Sequence, residues 1–412
     1  EGAAPAMFSV TGMLCWAVTP PGVATVIVPE WMPAAIPAET TETVNVVGVV
    51  PLDGVTDNQP GLAAAATEMA AAADTVMVCG AGAGAFSVGT GTNLAVLNVR
   101  GGTNAFGAAT LNVGAVANAQ SYFYMTNAGT RYTLNATTMN VATASNAFGV
   151  FTNAPGVQFL DMSIGTLNIG TGTNSYGYAR FEGTNRAMLA DSIIGTYNLG
   201  GVVSTGILEL GNMTLLKSGA TFNLGRDNQG GHAQIGLMDA TFGLVASGGE
   251  INIGRGNSNA NGIVSGAILG YGTSSLSNLV TDQSMFVGYG IGAKGALVVT
   301  GSIGSSGNFY VDDYLYIGCR EDFGDPGPGA TGQVMVNLGG GYFGWSTNKG
   351  EGMRVGRGRQ DQNAYGRGLL YVTNFGTAEL LGDWVEIGYQ GGDANRSEGI
   401  VEFWDGNAVT FS

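Results

Sequence analysis

The sequence predicts an all-β protein that forms a right-handed parallel β-helix, or β-solenoid, of about 11 turns. Two compositional features and one repeated phrase lead to this fold class. Glycine accounts for 71 of 412 residues, only 11% of the residues are charged, and 45% are hydrophobic. Such a chain has too little charge and too many apolar residues for disorder, and it lacks the strict Gly-X-Y period of collagen. A short phrase that ends in glycine recurs along most of the chain, which indicates a repeat protein.

The N-terminal part of the chain is expected to lie outside the repeats. Eight of the 11 prolines fall within the first 60 residues, so residues 1–60 are predicted to form an extended, irregular segment. Strand-like pieces occur in this segment at VATVIV and TVNVVGVV. Residues 61–79 are predicted to form a short helix or cap, because the run GLAAAATEMAAAAD is rich in alanine, the best helix former. The repetitive solenoid is then expected to cover residues 80–412.

The repeat is defined by an anchor phrase, in which two or three residues in strand alternation precede a glycine. Clear copies are LNVG ending at Gly114, LNIG at Gly170, INIG at Gly254 and LYIG at Gly318. Successive anchors are 25 to 38 residues apart, and the 11 anchors are the reason for expecting about 11 turns. The asparagine of the LN-V/I-G copies is expected to stack on itself at a turn.

A second phrase follows most anchors and consists of a glycine and an alternating strand, as at Gly177, Gly295 and Gly332. From this glycine to the next anchor the distance is 20 to 24 residues, whereas from the anchor to this glycine it varies from 7 to 14. Nearly all length variation therefore falls in one loop of each repeat. This pattern is typical of a parallel β-helix with glycine at its corners. A β-propeller is the alternative, but its blades are longer, at about 40–45 residues.

Apolar residues of both phrases are expected to point into a narrow core and to stack in ladders. The residues predicted to face inward are Val99, Leu111, Val113, Leu167, Ile169, Ile253, Val287, Ile317, Val355 and Ile387.

The stretches LVVTGSIGSSGNFYVDDYLYIG and LLYVTNFGTAELLGDWVEIG resemble the glycine-rich β-solenoid repeats of bacterial autotransporter passenger domains and of related secreted surface proteins. The resemblance covers roughly residues 80–412. It implies a parallel β-helix that is exported to the cell surface or beyond it. Members of these families serve as adhesins, surface fibres or stalks, and some carry an enzyme domain.

The stretch VGRGRQDQNAYGRG, residues 355–368, begins like a phosphate-binding loop. A dinucleotide-binding loop opens a helix, but here the strand-like LLYVTNF follows, so the stretch is interpreted as the corner of one repeat.

Charge is concentrated in the variable loops. Arginines come just after the anchors, at Arg226, Arg255, Arg320 and Arg357, and acids lie close by in the sequence, at Asp227, Glu321, Asp322 and Asp361. Five loops hold 14 of the 45 charges, and they are residues 226–232, 255–261, 319–331, 357–367 and 389–398. They are expected to form a solvated, salt-bridged edge of the solenoid. A lateral contact or ligand face is the alternative.

The sequence assigns no catalytic, cofactor-binding or metal-binding residue, and it predicts that the protein is not an enzyme. His232 is the only histidine, and no nucleophile stands at a motif spacing from it. Asp312 and Asp313 form an acid pair of the kind that suits calcium, but turn capping is the favoured interpretation. Three late tryptophans are expected to be core or end-capping residues rather than a sugar platform, namely Trp345, Trp384 and Trp404.

The three cysteines are Cys15, Cys79 and Cys319. A Cys15–Cys79 disulfide is plausible in an oxidising compartment, and three unpaired thiols are the equal alternative.

Charge and hydropathy restrict the partners. A net charge of −15 disfavours nucleic acid, and no apolar run reaches the roughly 18 residues of a membrane helix. The protein is therefore predicted to be an extracellular or cell-surface structural protein, the subunit of a self-assembling fibre or surface layer. Its expected partners are other copies of itself and a surface polysaccharide. The alternative is an adhesin or a β-solenoid that binds or cleaves carbohydrate.

Assembly is expected to run head to tail by strand addition. The 13 residues after Gly399 are fewer than a full turn needs, so the last turn is predicted to expose strand edges. The stretches GVATVIVPEW and TVNVVGVVPL offer spare strand for those edges. In the alternative, residues 1–60 cap their own first turn.

Overall fold

The structure is a computed structural model, and its regular elements are all strands. The residues that it describes are 8–18, 22–32, 75–78, 85–100, 103–126, 131–154, 157–182, 186–194, 204–211, 214–219, 222–226, 231–256, 264–301, 307–320, 329–346, 352–358, 365–389 and 397–411. These residues contain no helix, and hence none that is long and apolar enough to cross a membrane.

The strands are numbered in chain order. They are β1 (Phe8–Val18), β2 (Gly22–Met32), β3 (Thr75–Val78), β4 (Ala85–Val88), β5 (Leu94–Arg100), β6 (Thr103–Val113), β7 (Gln120–Thr126), β8 (Arg131–Val141), β9 (Phe148–Asn153), β10 (Gln158–Ile169), β11 (Tyr176–Glu182), β12 (Arg186–Ile194), β13 (Thr205–Gly211), β14 (Thr214–Gly219), β15 (Phe222–Arg226), β16 (His232–Met238), β17 (Thr241–Ala246), β18 (Ile251–Arg255), β19 (Val264–Tyr271), β20 (Ser275–Thr281), β21 (Met285–Tyr289), β22 (Ala293–Val299), β23 (Asn308–Val311), β24 (Leu315–Cys319), β25 (Ala330–Ser346), β26 (Gly352–Val355), β27 (Gly366–Leu381), β28 (Trp384–Ile387), β29 (Glu398–Trp404) and β30 (Ala408–Phe411).

Strands β3 to β30 form one parallel β-solenoid, which confirms the predicted fold class and rules out the β-propeller. Each strand pairs with the equivalent strand of the next turn, so the sheet winds into three faces. Face A comprises β5, β7, β9, β11, β13, β16, β19, β22, the first halves of β25 and β27, and β29. Face B comprises β3, the first halves of β6, β8, β10 and β12, then β14, β17, β20, β23, the second halves of β25 and β27, and β30. Face C comprises β4, the second halves of β6, β8, β10 and β12, then β15, β18, β21, β24, β26 and β28.

The solenoid has about eight full turns. We count a turn as full when it has a strand on each of the three faces and a complete turn on either side. The expected number of about 11 was therefore too high. That number counted every anchor as a full turn. The anchors nearest the two ends belong instead to end turns, which are incomplete or lack a complete neighbour on one side.

The expected Ala-rich helix is not part of the described structure. Within the predicted helix or cap, residues 61–79, the described residues are 75–78, and they form strand β3. Strand β3 pairs in parallel with β6 and so begins face B. Three of the four residues of TVMV are β-branched, which favours a strand. Pairing with β6 provides hydrogen-bond partners for its main-chain N–H and C=O groups. The alanine run itself lies outside the described residues.

The N-terminal segment contains an antiparallel hairpin, in which β1 pairs with β2 along their whole length. Strand β2 includes the predicted strand piece VATVIV. The second piece, TVNVVGVV, lies outside the described residues, and so does Cys79 of the proposed disulfide. Cys319 is a buried thiol whose Sγ donates to the Arg354 carbonyl at 3.3 Å.

The anchor glycines occupy the corner that follows each face C strand. Gly318 has a φ of 64°, and a Cβ at this position would collide with the main-chain carbonyl of Arg367. Ala142 takes the same place in its own turn with a φ of 54°. The loops of variable length begin after this corner and lead to face A, as the uneven spacing of the two phrases predicts.

The core is a narrow column of apolar side chains between the three faces. Nine of the ten residues predicted to face inward are buried, and Ile387 is the exception, at 49% exposure. Ile387 is in register with buried Val355, but β28 is the last described strand of face C and no turn covers it. Phenylalanines stack along the core, for example Phe309 and Phe343 with ring centroids 4.9 Å apart. Each such buried side chain contributes about 1.5–3 kcal/mol through the hydrophobic effect.

Candidate functional site

The stretch 355–368 is the corner of a turn. Strand β26 ends at Val355 and strand β27 begins at Gly366, so strands stand on both sides of the loop. Gly356 has a φ of 71°, like the other anchor glycines. Residues 359–364 lie outside the described residues. A phosphate-binding loop needs a helix whose N-terminal N–H groups face the anion, and a strand takes that place here.

The arginines after the anchors differ in their surroundings. Arg255 pairs with Glu250, and Arg357 Nη1 lies 3.1 Å from Glu386 Oε2. The acids of both pairs lie outside the variable loops, and the acids expected beside the arginines, Asp227, Glu321, Asp322 and Asp361, are not among the described residues. Arg320 differs from a solvated residue, because its side chain is completely buried, and its main-chain N–H donates to the Arg357 carbonyl at 2.8 Å. Most of the variable loops lie outside the described residues.

The outward row of face C begins with a ladder of side-chain amides. Asn112 donates to Ser87 Oγ at 3.0 Å, Asn140 to Asn112 at 2.9 Å and Asn168 to Asn140 at 2.8 Å. The predicted asparagine stack is therefore present, but it lies on the strands β6, β8 and β10 rather than at a turn. Each of these amides donates a hydrogen bond to a side chain of the neighbouring turn, so the ladder links successive turns.

The same row continues with aromatic and charged residues. The guanidinium of Arg354 lies between two rings, 4.8 Å from the centroid of Tyr316 and 4.3 Å from that of Trp384. It also donates to Tyr316 Oη at 2.7 Å and to Glu386 Oε2 at 2.9 Å. The guanidinium group of Arg354 is thus engaged within the chain by two aromatic rings and by the Glu386 carboxylate. This part of face C is a closed structural cluster and offers little to a ligand.

The three late tryptophans have different roles. Trp345 is completely buried in the core, and its indole N–H donates to the Asp313 carbonyl at 2.7 Å. Trp384 lies on face C against Arg354. Trp404 is 55% exposed, and its indole N–H donates to Glu402 at 3.1 Å.

The two adjacent acids turn to different partners. Asp313 Oδ2 accepts a hydrogen bond from Ser284 at 2.9 Å, whereas Asp312 Oδ1 accepts one from Ser346 at 3.3 Å. Both contacts join the corner between faces B and C to serine side chains of neighbouring turns, so they do not test the turn-capping interpretation. Among the described residues, no group of three or more His, Cys, Asp or Glu side chains could hold a metal ion.

A serine contacts the only histidine, which sequence reasoning missed. His232 on β16 and Ser265 on β19 are in register on face A, and Nδ1 lies 2.6 Å from Ser265 Oγ. Burial lowers the pKa of His232 below its usual value, which favours the neutral ring. A hydroxyl beside a neutral imidazole is half of a nucleophilic site. Among the described residues no carboxylate orients the ring, so we interpret the contact as another tie between turns.

A surface depression runs along face A, and we call it the face A groove. It has a volume of about 480 Å³ and runs along the solenoid axis from β19 to β29. One wall is an outward row of polar residues in mutual register, namely Ser265, Lys294, Thr331, Arg367 and Glu398. The floor begins with Ala267 and Ala296, whose small side chains leave it open.

The charges of this groove are unevenly paired. Arg367 Nε lies 3.4 Å from Glu398 Oε2, and both side chains are more than half exposed, so this ion pair is weak. Lys294 is exposed and has Ser265 and Thr331 as its register neighbours. No described carboxylate pairs with it. Within the described part of the chain, Lys294 is thus a cation without a carboxylate partner, and it lies between two hydroxyl-bearing residues.

A second notable surface is formed by the last strands. Among the described residues, β28, β29 and β30 each pair with a strand on one side only. Large apolar side chains are exposed there, and they are Val385, Ile387, Tyr389, Ile400, Trp404, Val409 and Phe411. Open strand edges beside exposed apolar side chains are the features that promote strand pairing with another chain.

Comparison of the chain with protein-family models, with curated proteins and with solved structures found no match. Its function is therefore inferred from its own geometry.

Proposed function

We propose that this protein is an extracellular structural protein, the subunit of a fibre or surface layer, which polymerises head to tail by strand addition. The observation that carries the proposal is that, among the described residues, β28, β29 and β30 each pair with a strand on one side only. Each edge offers unpaired backbone groups in the spacing of the next turn, so a strand from another copy would extend all three faces.

The exposed apolar side chains at these edges support the same proposal. Phe411 is 67% exposed and Ile387 49%, and they are in register with the buried core residues Leu380 and Val355. Covering side chains of this size with a further turn would contribute about 1.5–3 kcal/mol each. A head-to-tail contact of this kind joins two different surfaces, and it produces a filament when it does not close into a ring.

The N-terminal segment is the proposed donor. Of its two apolar stretches, residues 22–31 lie in strand β2 and pair with β1. Each strand of this hairpin keeps one free edge among the described residues, and that edge can join another sheet. Strands β1 and β2 form a sheet of their own, separate from the 28-stranded one.

The ladders on the outer faces support a structural role as well. On face C the amides and charged groups contact one another across turns, which stiffens the solenoid. We also propose a right-handed winding, because connections between parallel strands of one sheet are right-handed in about 98% of cases. Export, cell-surface location and the likeness to autotransporter passenger domains belong to this proposal, which includes no nucleic-acid or membrane partner.

Deletion of residues 1–50 tests the assembly mechanism. Sedimentation velocity would compare the deletion variant with the parent at several concentrations. The parent should sediment as a broad, concentration-dependent series, and the variant as one small species with an intact solenoid by circular dichroism. If the variant assembles as the parent does, the donated-strand mechanism is wrong.

The face A groove favours a second candidate function, which is the binding of a surface polysaccharide. A long, shallow groove with hydroxyl, amide and charged side chains along one axis suits an extended polar polymer. An adhesin would combine such a groove with the structural role. Binding of neutral and acidic polysaccharides to the purified protein, measured by calorimetry, tests this candidate.

A further inference from the structure

We propose that the face A groove binds an acidic saccharide chain and that Lys294 recognises its carboxylate. This inference rests on the second candidate function above, and it adds the chemical class of the ligand and the residues that select it.

Charge is the first argument. The chain carries a net charge of −15, so an exposed lysine that pairs with no described carboxylate differs from most of the surface. Lys294 lies on the wall of the groove, with Ser265 on one side and Thr331 on the other. An ammonium group between two hydroxyl donors is complementary to a carboxylate. Arg367 lies one turn beyond Thr331, where it shares its charge with Glu398.

Shape is the second argument. The groove crosses five strands of face A, from β19 to β29, so it is roughly 19 Å long at the usual strand spacing of about 4.8 Å. At β19 and β22 the floor of the groove consists of Ala267 and Ala296, which are small and apolar. A chain of sugar rings presents apolar C–H faces to such a floor and hydroxyls to the polar wall.

The backbone favours a saccharide over an acidic peptide. The strands β19, β22, β25 and β27 beneath the groove are paired on both sides within face A. An extended peptide is normally recognised through main-chain hydrogen bonds to an open strand edge. This groove offers no such edge over those strands, so its ligand must be recognised by side chains, and a saccharide carries many hydroxyls for that purpose.

The experiment measures binding of polygalacturonate, dextran and polyglutamate to the purified protein by isothermal titration calorimetry. Polygalacturonate should bind, and more weakly at high salt because the contact is ionic. Lys294→Gln should weaken binding about tenfold, since it removes a charge-assisted hydrogen bond. Ala296→Leu should weaken it at least as much by filling the floor. Leu369 in the same outward row shows that the row accommodates leucine.

Arg131→Gln is the matched control. Arg131 is exposed at the start of β8, away from the groove, and its loss changes the net charge by the same amount. This variant should bind polygalacturonate within about twofold of the parent, and all variants should keep the parent's thermal stability.

Other outcomes overturn the proposal in distinguishable ways. Equal binding of dextran would leave carbohydrate binding standing and refute the acidic ligand. Equal binding of polyglutamate would identify an acidic peptide as the occupant and refute the saccharide. Unchanged affinity in Lys294→Gln would show that the site is wrong. If none of the three polymers binds, both this inference and the second candidate function fail, while the assembly proposal is unaffected.

Discussion

Asn168 donates its side-chain N–H to the side-chain carbonyl of Asn140 at 2.8 Å, although 28 residues separate them in the sequence. The next amide along donates in the same direction, from Asn140 to Asn112 at 2.9 Å. A 28-residue spacing is thus one turn of the solenoid in this region. The same relationship repeated over many side-chain types holds the turns in register.

The amide ladder gives a first prediction. Asn140→Ala removes both hydrogen bonds and leaves Asn112 and Asn168 each without one partner, so it should lower the free energy of unfolding by about 1–2 kcal/mol. Asn308→Ala is the control, because the contacts of Asn308 with the Asn278 side chain and with the Tyr342 main-chain N–H are both exposed, so water replaces them. Chemical denaturation measures both. Equal losses in the two variants would contradict a stabilising role for the ladder.

The anchor corner gives a second prediction. Gly318→Ala should cost about 3 kcal/mol or more, because it adds the strain of a positive φ to a collision with the Arg367 carbonyl. Ala142→Gly is the matched reverse change at the equivalent corner. It relieves the strained φ of 54° but adds chain entropy, so stability should change by less than about 1 kcal/mol. Thermal unfolding of both variants decides whether the corner requires glycine.

The core ladder of face C gives a third prediction. Ile317→Asp places a charge where no water reaches, so it should lower stability by more than about 4 kcal/mol or unfold the neighbouring turns. Ile387→Asp makes the same chemical change two turns further along, where the side chain is half exposed, and it should cost less than about 1 kcal/mol. A small effect at Ile317 would show that the register is wrong.

The half-buried histidine gives a fourth prediction, about pH. Partial burial lowers the pKa of His232 in the folded state below its usual value of about 6.5. The unfolded chain therefore binds a proton first as the pH falls through 6.5, and stability decreases from there down to the folded pKa. Above 6.5 both states are neutral and the effect is absent.

His232→Gln isolates this effect, because the chain has no other histidine. The melting temperature of the parent should fall between pH 7.5 and pH 5.5, and the melting temperature of the variant should fall distinctly less. Identical pH dependence in parent and variant would contradict the burial of a neutral ring at this position.

The sequence predicts the core ladders because β-pairing in a solenoid repeats one pattern. Val287, Ile317 and Val355 each stand one residue before an anchor glycine. The structure places them in register and fully buried. Alternation fixes which side chain points inward, and the positive φ at the corner fixes where glycine is needed, so two local rules are sufficient here.

Contacts between turns were harder to predict, because they depend on how neighbouring turns align across loops of variable length. His232 and Ser265 are 33 residues apart, and no motif joins them. A signal exists nonetheless, since Ala233 takes the place of the second-phrase glycine and is in register with Gly266. Aligning the turns on these two residues would have placed the histidine beside the serine. The face A groove could be found in the same way, from its row of aligned polar residues.

The expected turn number and the burial of Ile387 were wrong for one shared reason. Both treated every repeat as equivalent, whereas a solenoid residue is buried only when turns lie on both sides of it. Ile387 satisfies every local rule and is still half exposed. The Ala-rich helix was predicted from propensity alone. The described residues contain no helix, the alanine run lies outside them, and TVMV, which follows the run, is strand β3.

Negative-stain electron microscopy of the purified protein shows whether the strand edges of β28, β29 and β30 assemble copies into a fibre. We expect unbranched filaments, one solenoid wide, whose length grows with protein concentration. Single short particles at every concentration would contradict it, because edges as open as those of β28, β29 and β30 would then have no partner in another copy.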